Sequence, residues 1–312
     1  MKKTAALLLS LMLVILCACT AGYIEPSEGD QIDPIQESSV SSSNISLYFG
    51  YYNEPMLIRC ETNVEISPQQ QPEYYAISSL ITGASGQRSE LTSLFGKNTE
   101  LVEVSDNGEY LNVILNNGFM ADTTGANDEE TRINRRLAIY SIVNTVCEMG
   151  YHSMVQIYVV SDGVAQRPDS YKMGIVKSEN EASQLGALSR NTEIVLTPSN
   201  VVKTALAHYS KLEWDKLYYY FADKDGATNK LPSKEEFAQK LDYLRLVMKE
   251  FSSEDNYSVS ENGKNAIVQV SFKIRMEMSN YSVTNVPLEL VYKNHCWLIS
   301  YDSFMRYLEV QT

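Results

Sequence analysis

Two stretches of this chain carry regular hydrophobic patterning, and they order their elements differently. In the first, Ile45, Leu47 and Phe49 alternate with Ser46, Tyr48 and Gly50, the period of a half-buried strand. A second strand follows, with Ile58, Cys60, Thr62, Val64 and Ile66 on one face and Arg59, Glu61, Asn63 and Glu65 on the other. Pro72 opens a predicted helix through Tyr74, Ile77, Leu80 and Ile81, which Gly83 closes. Leu91, Leu94 and Phe95 predict another helical turn ending at Gly96. Asp106-Asn107-Gly108 is turn chemistry between residues 101–104 and 110–115, so these form a hairpin. Asn127 and Glu130 start a long helix whose apolar face is Ile133, Leu137, Ile139, Ile142, Val143 and Val146, and Gly150 stops it. Residues 154–160 then read as a strand closed by Asp162-Gly163. The order strand, strand, helix, strand, strand, helix, strand predicts an α+β sandwich with helices on one face of a sheet.

In the second stretch helices come first. Thr197 caps, Pro198 takes the first helical position, and Val201, Val202, Ala205, Leu206, Tyr209 and Leu212 line a face. Trp214, Tyr218, Tyr219, Tyr220 and Phe221 extend it. The capping box Ser233-Lys234-Glu235-Glu236 opens another helix, with Phe237, Leu241, Leu244, Met248 and Phe251 recurring every four and three residues. After the Asn262-Gly263 turn, Val268, Val270, Phe272, Ile274, Met276 and Met278 alternate strictly with Gln269, Ser271, Lys273, Arg275 and Glu277. Val286, Leu288, Leu290 and Tyr292 continue the sheet, and Lys293-Asn294-His295 turns into Trp297, Ile299 and Tyr301.

Ahead of both lies a leader. Lys2 and Lys3 precede an apolar run over residues 5–16 broken only by Ser10, and the small Ala18 precedes Cys19. That layout is a signal peptide, too short to be a spanning helix. Leu16-Cys17-Ala18-Cys19 resembles a bacterial lipobox. The resemblance implies cleavage between Ala18 and Cys19 and a diacylglyceryl group on the Cys19 sulfur, an anchor of two acyl chains. Cys17 does not fit that role, because bulky Leu16 stands where a small residue is needed. Residues 20–44 carry Glu25, Glu28, Asp30, Asp33 and Glu37 with no Lys or Arg, then a Ser-rich run. Without apolar periodicity they are expected to be a flexible tether. The expected organisation is signal peptide 1–18, lipidated Cys and tether 19–44, and folded domains 45–190 and 197–312. The net charge of −13 opposes nucleic acid and anionic lipid surfaces as partners of the folded part.

Residues 45 to about 190 resemble the GerMN domain, named from a spore germination and sporulation lipoprotein. The resemblance is carried by Leu47-Tyr48-Phe49, Leu80-Ile81-Thr82-Gly83, Leu91-Thr92-Ser93-Leu94-Phe95 before Leu101-Val102-Glu103-Val104, and Asn112-Val113-Ile114-Leu115. Ile142-Val143-Asn144-Thr145-Val146, Val155-Gln156-Ile157-Tyr158-Val159 and Gly186-Ala187-Leu188-Ser189-Arg190 complete it. The family usually has Gly-Pro after the first helix and an acidic residue after the fourth strand, where this chain has Gly83-Ala84 and Asn116-Asn117. Residues 198–312 resemble an NTF2-like cone, in their order of helices then sheet and in the closing Trp297-Leu298-Ile299.

Together these resemblances imply an α+β protein of two domains. The first is an αβ two-layer sandwich similar to ring-building motifs of sporulation-channel proteins, and the second is a cone of helices on a curved antiparallel sheet. They imply a non-enzymatic lipoprotein at the extracytoplasmic face of a Gram-positive-type cell membrane, anchored through Cys19. Its partners would be envelope or sporulation-complex proteins, with self-association within reach. The alternative is a lipoprotein that binds a small molecule, peptide or glycan inside the cone.

Candidate chemistry adds little. His152, His208 and His295 fall in a helix-to-strand turn, a helix and a hairpin turn, with no ligand spacing among them, and no metal or cofactor is expected. No nucleophile-elbow, zinc-protease or phosphate-loop motif occurs. Cys147 follows an apolar helix face and reads as core, while Glu129 and Glu130 read as helix N-terminal charges. Outside the membrane Cys60 and Cys147 could pair. The Tyr218-Tyr219-Tyr220 run is expected to wedge between helix and sheet with its hydroxyls wet, because three consecutive helical residues cannot face one cavity. The polar face of Arg59, Glu61, Asn63 and Glu65 is a candidate contact surface.

Overall fold

β1 (Ser41–Tyr51) and β2 (Glu54–Ile66) form an antiparallel hairpin with Leu47 opposite Cys60. The computed structural model describes residues 41–83, 89–244, 246–275 and 280–309; Cys17, Ala18, Cys19, the acidic stretch through Val40, Ala84, Met276 and Met278 lie outside the described residues. β1 begins inside the stretch expected to be tether, because Ser41 pairs with Ile66. β2 keeps its predicted alternation. β1 does not: from Leu47 to Tyr51 both faces are buried, since helices pack on one side and further chain on the other. The turn places Tyr52 and Asn53 at φ 45° and 60°, backbone that a ring as large as tyrosine seldom adopts.

α1 (Pro72–Thr82) follows as expected. Leu91 is not helical. It starts β3 (Leu91–Thr92), which pairs with Gly50 and Tyr51 of β1. Gly50 permits the approach, since a Cβ there would sit 2.9 Å from the Leu94 side chain. β4 (Leu101–Asp106) and β5 (Leu111–Leu115) make the predicted hairpin. After the short α2 (Gly118–Asp122) comes α3 (Asp128–Met149), whose Asn127 cap accepts from the Glu130 N–H while Glu130 Oε2 accepts from Ala126 N–H. Gly150, at φ 84°, ends it in the left-handed conformation. α3 is the crossover between β5 and the parallel strand β6 (Met154–Ser161). β7 (Val164–Gln166) and β8 (Leu188–Ser189) also pair with β6. The strands therefore divide into two hydrogen-bonded sheets, β2-β1-β3 and β4-β5-β6-β7, with α1 and α3 packed against strands of both.

The second region starts with α4 (Pro198–Ser210), capped by Thr197 Oγ1. The helix stops there: Leu212 is exposed at φ 60° and does not line the predicted face. The aromatic run forms a separate short α5 (Trp214–Leu217), a 3-10 turn over Tyr218–Tyr220, and β9 (Phe221–Ala222). α6 (Lys234–Leu244) has the expected capping box, with Ser233 and Glu236 bonded reciprocally. It ends before Met248 and Phe251, which lie on β10 (Val247–Val259). Their helical spacing loses to pairing with β11 (Asn265–Arg275). β12 (Asn280–Lys293), β13 (Cys296–Ser300) and a terminal helix α7 (Tyr301–Glu309) complete the order β10-β11-β12-β13-β9. α7 is absent from the sequence reading, although Phe304, Met305 and Leu308 give it a buried stripe.

The fold is α+β, and the two regions share one core. Buried residues run without a break from Leu47 and Ile77 through Tyr209 to Phe304. The inner face of the second sheet is filled by its own rings. Phe237 packs edge-on against Tyr218, and its ring centroid lies 5.5 Å from that of Phe221; Phe304 lies 4.9 Å from Phe221. Among the described residues no helix is long and apolar enough to cross a membrane.

Candidate functional site

The most organised polar cluster is built by α3. Ser141, Asn144 and Thr145 are wholly buried, which a helix interior tolerates only when their polar atoms are partnered. Ser141 Oγ donates to the Tyr48 carbonyl at 2.6 Å, and Thr145 Oγ1 accepts from the Tyr48 N–H at 3.3 Å. Asn144 exchanges two 2.8 Å bonds with the Asn191 backbone. One helix face thus fixes both β1 and the segment around residue 190. These bonds bring Tyr48 and Arg190 around Glu148, one turn further along α3.

Glu148 accepts from Arg59 Nε at 2.6 Å, from Arg190 Nη2 at 2.8 Å and from the Tyr48 hydroxyl. Arg59 also contacts Glu61 at 3.2 Å. Burial pushes the Glu148 carboxyl up, but the hydrogen bonds of Tyr48 and Arg59 and the two guanidinium charges outweigh it and hold its pKa below the ordinary value. Burial and the neighbouring carboxylate push the Tyr48 hydroxyl far above its ordinary range. Neither group changes charge near neutral pH, so the cluster is built to position side chains and does not suit proton transfer. Of the predicted polar strand face, Arg59 is drawn into this network, while Glu61, Asn63 and Glu65 stay exposed.

Beside the cluster a groove of about 460 Å³ opens between the two regions. Arg59 and Arg190 line one wall. Tyr257, Tyr292 and Trp297, from two hairpin ends of the second sheet, line the other. Tyr292 and Trp297 pack with centroids 5.0 Å apart.

A second cluster holds the regions together. His208 of α4 is buried, with Nδ1 2.7 Å from Glu213 Oε2 and Nε2 3.3 Å from Glu54 Oε1 at the start of β2. Burial opposes charge on the imidazole, but the two carboxylates outweigh it and raise its pKa. Tyr52 stacks on Tyr219 at 4.0 Å, and the Tyr51 hydroxyl donates to the Tyr219 carbonyl at 2.8 Å. The tyrosine run therefore joins regions and does not line a cavity. Its hydroxyls are not all wet: Tyr220 Oη is buried with no hydrogen-bond partner among the described residues, and Tyr218 donates to the Pro232 carbonyl.

The remaining sequence candidates are dispersed. His152 lies 3.6 Å from Glu73 and 4.0 Å from Asp106, and His295 sits in the turn before β13. Among the described residues no three His, Cys, Asp or Glu side chains form a group that could hold a metal. Glu129 and Glu130 occupy the first turn of α3. Cys147 donates to the Ser153 carbonyl, its thiol pKa is raised by burial, and no disulfide joins it to Cys60. Sequence reasoning missed the Tyr48, Glu148 and Arg190 cluster, whose members lie between 42 and 142 residues apart. One local signal was available. Glu148 places a carboxylate in the last turn of a helix that has no basic residue there, against the helix dipole.

Residues 46–163 match the family model Germane, described as sporulation and spore germination. No curated protein matches the chain. Among solved structures, the tandem GerMN domains of the sporulation protein GerM from Bacillus subtilis share 16% identity at a TM-score of 0.35, over 50% of this chain and 48% of that one. The chain thus spans about half the length of that structure. The intermembrane space region of the chloroplast protein ARC6 shares 14% identity at a TM-score of 0.21, over 33% of this chain and 92% of that one. By the family match, residues 46–163 of this chain resemble a GerMN-like domain of the Germane type.

Proposed function

We propose that this protein is a non-enzymatic assembly module of the cell envelope, acting through protein–protein contacts in sporulation or spore germination. The observation that carries the reading is the Germane match over residues 46–163. The leader supports the location: Leu16-Cys17-Ala18-Cys19 follows the lipobox pattern, so cleavage after Ala18 leaves Cys19 lipidated at the outer face of the membrane. The domains are taken as 45–190, GerMN-like, and 197–312, an NTF2-like cone. The chemistry around Glu148 supports a structural role, because its three partners saturate the carboxylate and hold it ionised. The interior of the cone is occupied by Phe221, Phe237 and Phe304, which disfavours a ligand held there.

The test has two arms. Labelling with a fatty-acid analogue and membrane fractionation of a Cys19→Ala variant should release the protein from the membrane and abolish the label. Crosslinking in membranes from growing and sporulating cells should capture an envelope protein. The reading falls if deletion leaves sporulation and germination intact and no envelope partner is recovered.

A further inference from the structure

We infer that the groove between the two regions is a binding site for an acidic glycan, a chain of sugar rings bearing carboxylates. The inference rests on the envelope reading only for where such a ligand would be met. Its two walls are chemically distinct. On the first, Arg59 uses Nε and Nη1 on Glu148 and Glu61, and Arg190 uses Nη2 on Glu148 and Tyr48. Arg59 Nη2 and Arg190 Nε and Nη1 are left with no protein hydrogen bond among the described residues. Both side chains are more than a third exposed. Guanidinium donors held in place by one edge and free at the other are suited to a carboxylate.

The second wall is aromatic. Tyr257 is 42% exposed, unusual for a ring of its size on a strand, and it faces the groove with Tyr292 and Trp297. Aromatic faces stack on the C–H faces of pyranose rings, while the hydroxyls of Thr192 and Thr197 on the groove's floor can take ring substituents. The surrounding charge sharpens the choice. Glu148 and Glu61, the latter also in the lining, offset the two arginine charges, so recognition of an anion rests on the unused guanidinium donors and not on a net positive field. An acidic peptide offers carboxylates too, and tighter binding of poly-glutamate is the outcome that would assign the groove to it.

Trp297 is one of two tryptophans in the chain and reports on the groove directly. In a Trp214→Phe background, the full chain in detergent is titrated with soluble oligomers of N-acetylglucosamine and N-acetylmuramic acid, and Trp297 fluorescence is followed. A saturable change is expected, with neutral N-acetylglucosamine oligomers of equal length bound roughly tenfold more weakly, the loss of one charge-assisted pair. Arg190→Gln should weaken binding by about the same factor. Tyr257→Ala, on an exposed strand end, should weaken it severalfold without altering the melting curve, and it decides the matter if Arg190→Gln melts early. Absence of saturation, equal binding of the neutral oligomer, or tighter binding of poly-glutamate overturns the assignment. The measurement uses purified protein, so its failure leaves the assembly reading standing if crosslinking recovers a partner. A failed crosslink likewise leaves the binding result untouched.

Discussion

The two regions solve the same problem, covering one side of a sheet with helices, with a different balance of polar and aromatic contacts. In the first, β3 pairs only with Gly50 and Tyr51 of β1, so the Tyr48 backbone takes its hydrogen bonds from α3. Ser141 and Thr145 supply them from fully buried positions, and Asn144 does the same for the Asn191 backbone. In the second, Ser199 of α4 bonds the Glu254 and Asp255 carbonyls of β10 and Ser303 of α7 accepts from the Glu289 N–H of β12, and the helices also fill space. Phe237, Phe304 and Tyr209 do that with rings, Tyr209 packing edge-on against Trp214. The first region thus rests on three buried polar side chains of one helix, while the second adds aromatic packing to the bonds of Ser199 and Ser303. The functional cluster grew on the first kind of contact, where register places Tyr48, Arg59, Arg190 and Glu148 within bonding distance.

Four measurements press on that contrast. Phe237→Ala should cost the most, about 3–5 kcal/mol in chemical denaturation, since it empties the centre of the aromatic core. Because the core is continuous, both regions should lose stability in one transition. A biphasic curve with the first region unshifted would break the picture of a shared core. Asn144→Ala should cost about 1–3 kcal/mol by orphaning the Asn191 backbone groups. It should also raise hydrogen exchange around residue 190, and unchanged exchange there would mean that α3 does not fix that segment.

Glu148→Gln should cost less, about 1 kcal/mol, because both arginine partners are well exposed to solvent. Its signature is the pH profile. The folded carboxyl titrates below its unfolded value of about 4.3, so its contribution is complete above that pH and is lost as the pH falls through the folded pKa. The variant's melting temperature should be flatter in acid than the wild type's, and parallel profiles would remove Glu148 from the account. The smallest effect belongs to His208→Gln. A raised imidazole pKa contributes fully below about 6.5 and is lost as pH rises through the higher folded value. The wild type should thus lose melting temperature relative to the variant on the alkaline side. The reverse sign would mean that the clamp of Glu54 and Glu213 does not charge the ring.

Much of the local structure was legible. The caps of α3, α4 and α6, the turns at Gly108, Gly150 and Gly163, and the alternation of β2 and β11 each follow from a few adjacent residues. The errors share a cause. Met248 and Phe251 keep helical spacing and Leu91 sits in a plausible helical turn, yet each joins a strand because a distant strand offers it hydrogen bonds. Leu212 has the right hydrophobicity and the wrong place, two residues past the end of α4. The Tyr218–Tyr220 run was read as a wedge between helix and sheet, and its role in joining two regions depends on Tyr51 and Tyr52, more than a hundred and sixty residues away.

By itself the sequence determined the α+β composition, most element boundaries and a family likeness that the Germane match over residues 46–163 supports. It did so because propensity, capping and period act over a few residues. Only the tertiary structure decided that Glu148 would gather two arginines and a tyrosine, and that His208 would sit between carboxylates from both regions. It also decided that a groove would open with guanidinium on one wall and aromatic rings on the other. Those arrangements depend on charge and shape meeting across long separations, and chain closure, not local pattern, brings them together.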